Sequence, residues 1–315
     1  ELILQEANRG ELSDGRLLTE ALNDVGLTDP VGIGQHLKVM LERAQGLRHS
    51  SVIDGAHAGR WIVNAFAQDP SRLGWHIGRL DGIGPSGAWA YVAESRGERC
   101  HFARAHDLDS TRMMIRLPDR ANSHMLRGQL LEPIAQHVFL ALTQSRTDVE
   151  ATQAVSRVLA PRDHPWLSGS LDDIVIDPNG SRLLIDYKCP TELNLGSPIE
   201  DVYATQLSLY WMRSQLAGVN FSGSGLWKLR LPPAVSDLFV GLLAQNPKWK
   251  ANLCAQAMTS IGMKLDDGIE VGYKKFHRQD AESRLPEIIE VLDSADAAIQ
   301  RGTLAPYFRP RKLDI

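Results

Sequence analysis

The sequence predicts an α/β domain: a mixed central β-sheet flanked by helices, preceded by a helical N-terminal extension. Three observations carry that prediction. Residues 130–145 have the apolar spacing of an amphipathic helix, two short alternating runs flank an Asn-Gly turn at 179–180, and residues 200–216 return to helical spacing.

The first seventy residues read as separable. Leu17, Leu18, Leu22 and Leu27, then Val39, Met40 and Leu47, recur near helical spacing, interrupted by Thr28-Asp29-Pro30 and Gly32-Ile33-Gly34. They carry no chemical pattern, so residues 1–70 are expected to be a structural or oligomerisation appendage to a main domain over 71–315. In the helix over 130–145, Pro133 fits the first turn, where its missing N–H would be unbonded anyway; that places Glu132 at the helix N-terminal end. Ser170–Ile176 and Ser181–Lys188 then form a hairpin about Asp177-Pro178-Asn179-Gly180, and Pro190 ends the second strand's ladder. Val202, Leu207, Leu209, Tyr210 and Met212 mark the helix of 200–216. Another helix is expected from about 283 to 300, before an extended basic tail at Tyr307–Lys312. The chain shows no internal repeat.

Composition excludes several classes. With 34 Lys+Arg against 38 Asp+Glu the net charge is -4, so the chain is no polycation that coats nucleic acid or membrane by charge alone. A local basic groove remains compatible with that sum. Cys100, Cys189 and Cys254 lack metal-ligand spacing and fit a reducing, cytoplasmic setting better than a disulfide scaffold. No apolar run approaches the roughly 18 residues of a membrane span. The first residues lack the basic start of a signal peptide, and the missing initiator Met suggests a trimmed N-terminus.

The chemistry concentrates in the hairpin. Asp186 and Lys188 stand two apart on one strand and share a face, and antiparallel pairing can bring Asp172 alongside. Crowded carboxylates repel, and a hard divalent cation such as Mg²⁺ resolves the repulsion. Lys188 can then orient a water or stabilise charge on a phosphate, and Glu132 is the natural third carboxylate. Asp-x-Lys alone is commonplace on exposed strands; here it ends an apolar run, Leu183-Leu184-Ile185, where burial is expected.

Glu132, Ser170-Leu171-Asp172, Asp186-Tyr187-Lys188-Cys189-Pro190 and Gln206 together resemble the core of the PD-(D/E)XK (restriction-endonuclease-like) nuclease superfamily. Within it the chain is most similar to the lambda exonuclease, or YqaJ-type viral recombinase, branch. Arg127-Gly128 stands ahead of Glu132, and Trp75-His76 with Arg79-Leu80, Ile83 and Ser86 matches the branch's upstream stretch at the same spacing. The resemblance covers about residues 72–215; it weakens after 230 and is absent before 70. It makes 71–315 the nuclease domain, with C-terminal helices and the basic tail in 216–315.

The resemblance implies that Asp172, Asp186 and the Tyr187 carbonyl hold Mg²⁺, with Mn²⁺ able to substitute. It implies that Glu132 holds or orients a second metal and that Lys188 activates the attacking water. Arg79, Ser86, Ser170 and Gln206 would receive a DNA 5'-phosphate, a role that suits guanidinium, hydroxyl and amide donors. The implied activity is 5'-to-3' exonuclease action on double-stranded DNA ends, leaving 3' tails for phage-type recombination. A ring-shaped homo-oligomer, a trimer above all, and a single-strand annealing protein are the implied partners, in a bacterial host's cytoplasm with no membrane.

Two departures stand out. Asp173 occupies a position where the branch commonly has Gly, so either Asp172 or Asp173 can be the one that faces the metal. Asp186 replaces the branch's Glu. Read without the family, Arg79 and Ser86 are loop residues and Gln206 a helix-surface amide. His76, His124, His137 and His164 read as structural, and Gly82–Gly87 lacks a phosphate-loop pattern. The basic-aromatic clusters Lys248-Trp249-Lys250 and Tyr273–Arg278 read first as solvated faces. An endonuclease of the same superfamily and a non-catalytic DNA-binding protein on this fold are the alternative readings.

Overall fold

The computed structural model describes residues 38–39, 41–44, 46–47, 55–68, 73–118, 123–193, 199–245 and 268–304. The expected helices over Leu17–Leu27, Met40, Cys254, the Lys248–Lys250 cluster and the tail at Tyr307–Lys312 lie outside the described residues. The chain divides into two compact units, the first from 1–120, 159–169 and 287–315, the second from 121–158 and 170–286. The first unit therefore takes in residues on both sides of position 70.

In the first unit, helices α1 (Gly55–Gln68), α2 (Leu73–Gly78), α3 (Pro85–Ser95) and α4 (Ala105–Arg112) follow one another. Trp61, Ile62, Leu73, Ile77, Leu80 and Met114 form one apolar cluster, joined by Leu41, Ala44 and Leu47. Val39, expected on the same apolar stripe, is 53% exposed instead. Pro85 opens α3 behind Gly84, the first-turn placement that suits proline. Gly82 has a packing reason: a Cβ there would come within 2.6 Å of the Trp166 carbonyl.

The second unit holds a five-stranded sheet in the order β1-β2-β3-β4-β5. Helix α5 (Ser123–Thr143) leads through β1 (Arg146–Thr147) and α6 (Val149–Arg157) into β2 (Asp173–Ile176) and β3 (Arg182–Lys188). Helix α7 (Asp201–Leu216) then crosses to β4 (Gly223–Arg230), which runs parallel to β3. After α8 (Pro233–Gln245), β5 (Glu270–Phe276) pairs antiparallel with β4, and α9 (Arg278–Gln300), whose residues from 287 on belong to the first unit, closes the series. The sheet is mixed and carries helices on both faces, as the sequence predicts. Leu131, Ile134 and Phe139 of α5 pack on Val175, Ile185 and Tyr187. Leu207, Tyr210 and Trp211 of α7 pack with Ile174 and Leu184 on the other side. Alternation along β3 thus sends Ile185 and Tyr187 to α5, and Leu184 and Asp186 to α7.

The hairpin turn forms where Asn-Gly marks it. Asp177 Oδ1 accepts from the N–H groups of Asn179 and Ser181, and Gly180 takes φ +82°, a conformation glycine adopts without strain.

Two helix boundaries differ from expectation. Helix α5 begins at Ser123, so Pro133 lies inside it and Glu132 sits mid-helix, not at its N-terminal end. An interior proline removes one backbone bond. Burial of Leu131, Ile134 and Ala135 offsets that loss, and the extra turns are tied down by Arg127 Nε donating to Ser236 Oγ at 2.7 Å. Helix α9 starts at Arg278, five residues before the expected position, where His277 N–H donates to Asp280 Oδ2 in a capping arrangement.

Leu184 is 0% exposed at the centre of the α7 face. Leu184→Ala is expected to lower unfolding stability by about 2–5 kcal/mol, read from chemical denaturation monitored by circular dichroism.

Candidate functional site

The site grows from the register of β2 on β3. Asp173 pairs with Ile185, so Asp172, one residue ahead of the strand, falls opposite Asp186. Asp172 Oδ2 accepts the Tyr187 N–H at 2.9 Å, ending the ladder with a side chain in place of a backbone carbonyl. Asp172 and Asp186 therefore share one face with Lys188, while Asp173 points the other way. The choice the sequence leaves open between Asp172 and Asp173 resolves geometrically: Asp172 joins the cluster. Asp173 Oδ2 instead accepts from Gln136 Nε2 at 2.8 Å, Thr147 Oγ1 at 3.1 Å and the Tyr187 hydroxyl at 3.0 Å.

Gln136 follows Glu132 by four residues and lies on the same side of α5. Asp173 thereby pins the helix that carries Glu132. Sequence reading missed Gln136, although its spacing from Glu132 was visible.

Asp186 is 0% exposed. Its Oδ2 forms an ion pair with Lys188 Nζ at 2.7 Å, and its Oδ1 accepts from Gln206 Nε2 at 3.0 Å. Gln206 Nε2 also donates to the Tyr210 hydroxyl at 2.8 Å. The Gln206 amide is thus buried against the carboxylate rather than displayed on the helix surface, and Tyr210, which sequence reading took only as an apolar helix residue, fixes it. Lys188 Nζ further donates to the Tyr187 carbonyl at 3.1 Å and stands 3.9 Å from Asp172 Oδ2.

These contacts set the proton affinities. Burial first, then the neighbouring Asp172, pushes Glu132 up to about 7. Asp186 also rises to about 7, because burial outweighs the Lys188 ammonium. Lys188 is held protonated well above its ordinary value by Asp186 and Asp172, against the opposing effect of burial. Burial lifts the Cys189 thiol to about 12 and leaves it unreactive.

The remaining predicted residues divide between the units. Arg79 and Ser86 lie in the first, where Arg79 Nη2 donates to Ser86 Oγ at 2.9 Å. Ser86 is in the first turn of α3, not in a loop. Ser170 is exposed in the second unit, which also holds Gln206. Of the expected structural histidines, His164 Nδ1 contacts Asp293 Oδ1 at 3.0 Å, His76 is buried and His137 is exposed.

Among the described residues, no three His, Cys, Asp or Glu side chains form a ready-made metal cage. A divalent ion nonetheless fits the donors present. Asp172 Oδ2, Asp186 Oδ2 and the Tyr187 carbonyl, all hard oxygens, face a cation of the chain's own in Lys188 Nζ. Among the described residues, no helix is long and apolar enough to cross a membrane.

A mixed sheet between helices, with paired carboxylates and a lysine at the end of a central hairpin, defines a PD-(D/E)XK-like core. Residues 74–211 match the family model of the YqaJ-like viral recombinase domain, which belongs to that superfamily. The matched stretch, short of half the chain, contains Glu132, Asp172, Asp186 and Lys188 and agrees with the span read from the motifs. It supports a phage-type recombination nuclease. No curated protein matches the chain.

The raised Glu132 predicts a pH effect on the metal-free chain. The folded state keeps a proton that the unfolded state releases between about 4.5 and about 7, so this group's contribution to stability declines as pH rises through that window. Glu132→Gln should therefore raise the melting temperature at pH 8 more than at pH 5, measured by calorimetry in a chelating buffer.

Proposed function

We propose that the chain is a metal-dependent deoxyribonuclease that resects double-stranded DNA ends 5' to 3', leaving 3' tails for phage-type recombination. The observation that supports this most is the convergence of the Asp172 and Asp186 carboxylates and the Tyr187 carbonyl on one ammonium group, within a stretch matching a YqaJ-like domain. Those three oxygens would hold Mg²⁺, or Mn²⁺ in its place, and Glu132 would hold or orient a second ion. When bound, such a metal polarises a phosphoryl oxygen and lowers the pKa of a coordinated water.

The chain's own groups divide the remaining work. Lys188 stays protonated, so it donates: it orients the attacking water and offsets negative charge on the phosphate rather than taking a proton. Gln206 holds Asp186 Oδ1 and leaves the carboxylate's second oxygen turned toward Lys188, where it would serve the ion. Hydrolysis joins the water oxygen to phosphorus and breaks the bond from phosphorus to the 3'-oxygen, which gains a proton. Each cut leaves a new 5'-phosphate on the shortened strand. Arg79, held by Ser86, offers a planar guanidinium suited to that terminal phosphate. A ring-shaped homo-oligomer, such as a trimer, and a single-strand annealing partner belong to the same reading.

The deciding experiment incubates the chain with linear duplex labelled separately at each end, 5'-phosphorylated or not, with Mg²⁺ or with chelator. Loss of the 5' label first, in Mg²⁺ alone, is the expected result. Digestion of covalently closed circles would indicate an endonuclease instead. Lys188→Ala should cut the rate by at least about a hundredfold while melting as a folded protein, and near-parental digestion would sink the proposed mechanism. Arg79→Ala should lose the preference for 5'-phosphorylated over 5'-hydroxyl ends, read as the ratio of the two initial rates.

A further inference from the structure

A row of basic side chains adjoins the carboxylates on one face of the second unit's sheet. The parallel register sets Lys188 opposite Lys228 and Asp186 opposite Leu226. The antiparallel register of the next pair sets Leu226 opposite Lys274. Residues paired across strands share a face, so Lys188, Lys228 and Lys274 stand on the side that carries Asp186. The Lys188 and Lys228 ammonium groups each lie 5.7 Å from the centroid of the Tyr203 ring, which is flanked by both.

The Lys228 side chain is only 6% exposed, yet it pairs at 3.4 Å with Glu200 Oε1, whose side chain is 47% exposed. Glu200 is the N-cap residue of α7 and makes no side-chain cap bond, so helix geometry does not hold its carboxylate in place. A long pair with a hydrated carboxylate is weak. A phosphate presents the same charge with more acceptor oxygens. Lys228 falls beyond the stretch matched to the YqaJ-like domain.

We propose that Lys228 binds a phosphate of the DNA strand adjacent to the one being hydrolysed, and that Glu200 occupies this ammonium in the free protein until the strand displaces it. The inference rests on the nuclease reading and names the direction in which the strand leaves the carboxylates: across the sheet, past Tyr203, toward β4. Burial and the nearby Lys228 pull Lys274 below its ordinary value, as expected for like charges gathered along that path.

Two variants of opposite sign test it. Affinity is measured by fluorescence anisotropy of a labelled linear duplex in chelator, over a series of salt concentrations. Lys228→Met should weaken binding about tenfold and reduce the slope of log affinity against log salt by roughly one. Glu200→Gln should tighten binding by about two- to fivefold, and that gain should vanish in the Lys228→Met background. A Glu200→Gln chain that binds no better than the parent, or gains as much without Lys228, overturns the inference. Glu200 is half-exposed, so this variant decides the matter even if Lys228→Met does not fold. A parent chain that neither binds nor digests duplex overturns the nuclease reading and the inference together. One that does both, with variants indistinguishable from it, overturns the inference alone.

Discussion

The second unit is organised around a carboxylate that has no access to water. Asp186 lies at the middle of the sheet, on the central strand, with no exposed surface. An isolated charge there would be expelled or neutralised. It persists because the Lys188 ammonium and the Gln206 amide compensate it against the like charge of the facing Asp172, and each of the three brings an element along. Lys188 ties the end of β3 to itself, Gln206 fixes the rotation of α7, and Asp172 fixes where β2 begins. Removing one member of such a buried pair typically costs about 3–5 kcal/mol, more than most apolar truncations, so folding and chemistry draw on the same contacts. The raised proton affinities of Glu132 and Asp186 follow from burial first, to which the like charge of Asp172 adds in both cases.

What the sequence made legible was what depends on neighbours in the chain. The Asn-Gly turn, the shared face of Asp186 and Lys188, and the helix of α7 follow from local spacing, and each appears in the structure. Position along the chain could not say which of Asp172 and Asp173 joins the cluster, because that depends on register. Once Asp173 is set against Ile185, the alternation of the pleat leaves no choice. The start of α5 was misplaced for a different reason. A proline suggests a first turn, and only the burial of α5 against β3 and β4 shows that the helix can carry one in its interior. Strands β4 and β5 are not marked by the spacing of the sequence: Gly223-Ser224-Gly225 offers no side-chain alternation, and Tyr273–Arg278 reads as a solvated basic patch. In fact the first opens a central strand, and Lys274 and Phe276 of the second are buried.

Those two strands also alter the meaning of the chain's overall charge. A sum of -4 gives no reason to expect a polyanionic partner. Charge is not spread evenly, however. On the α7 face of the sheet, Asp172 and Asp186 meet at the β2–β3 pair, and the same face continues through Lys188, Lys228 and Lys274, with Glu270 paired to Arg230 beyond them. A phosphate that reaches Lys188 and Lys228 beside Tyr203 meets carboxylates on one side and ammonium groups on the other. The carboxylates would repel it unless a cation intervenes, which confines close approach to the metal-bound state, whereas the lysines attract it in either state. Net charge averages these two requirements away. The register of four strands keeps them apart.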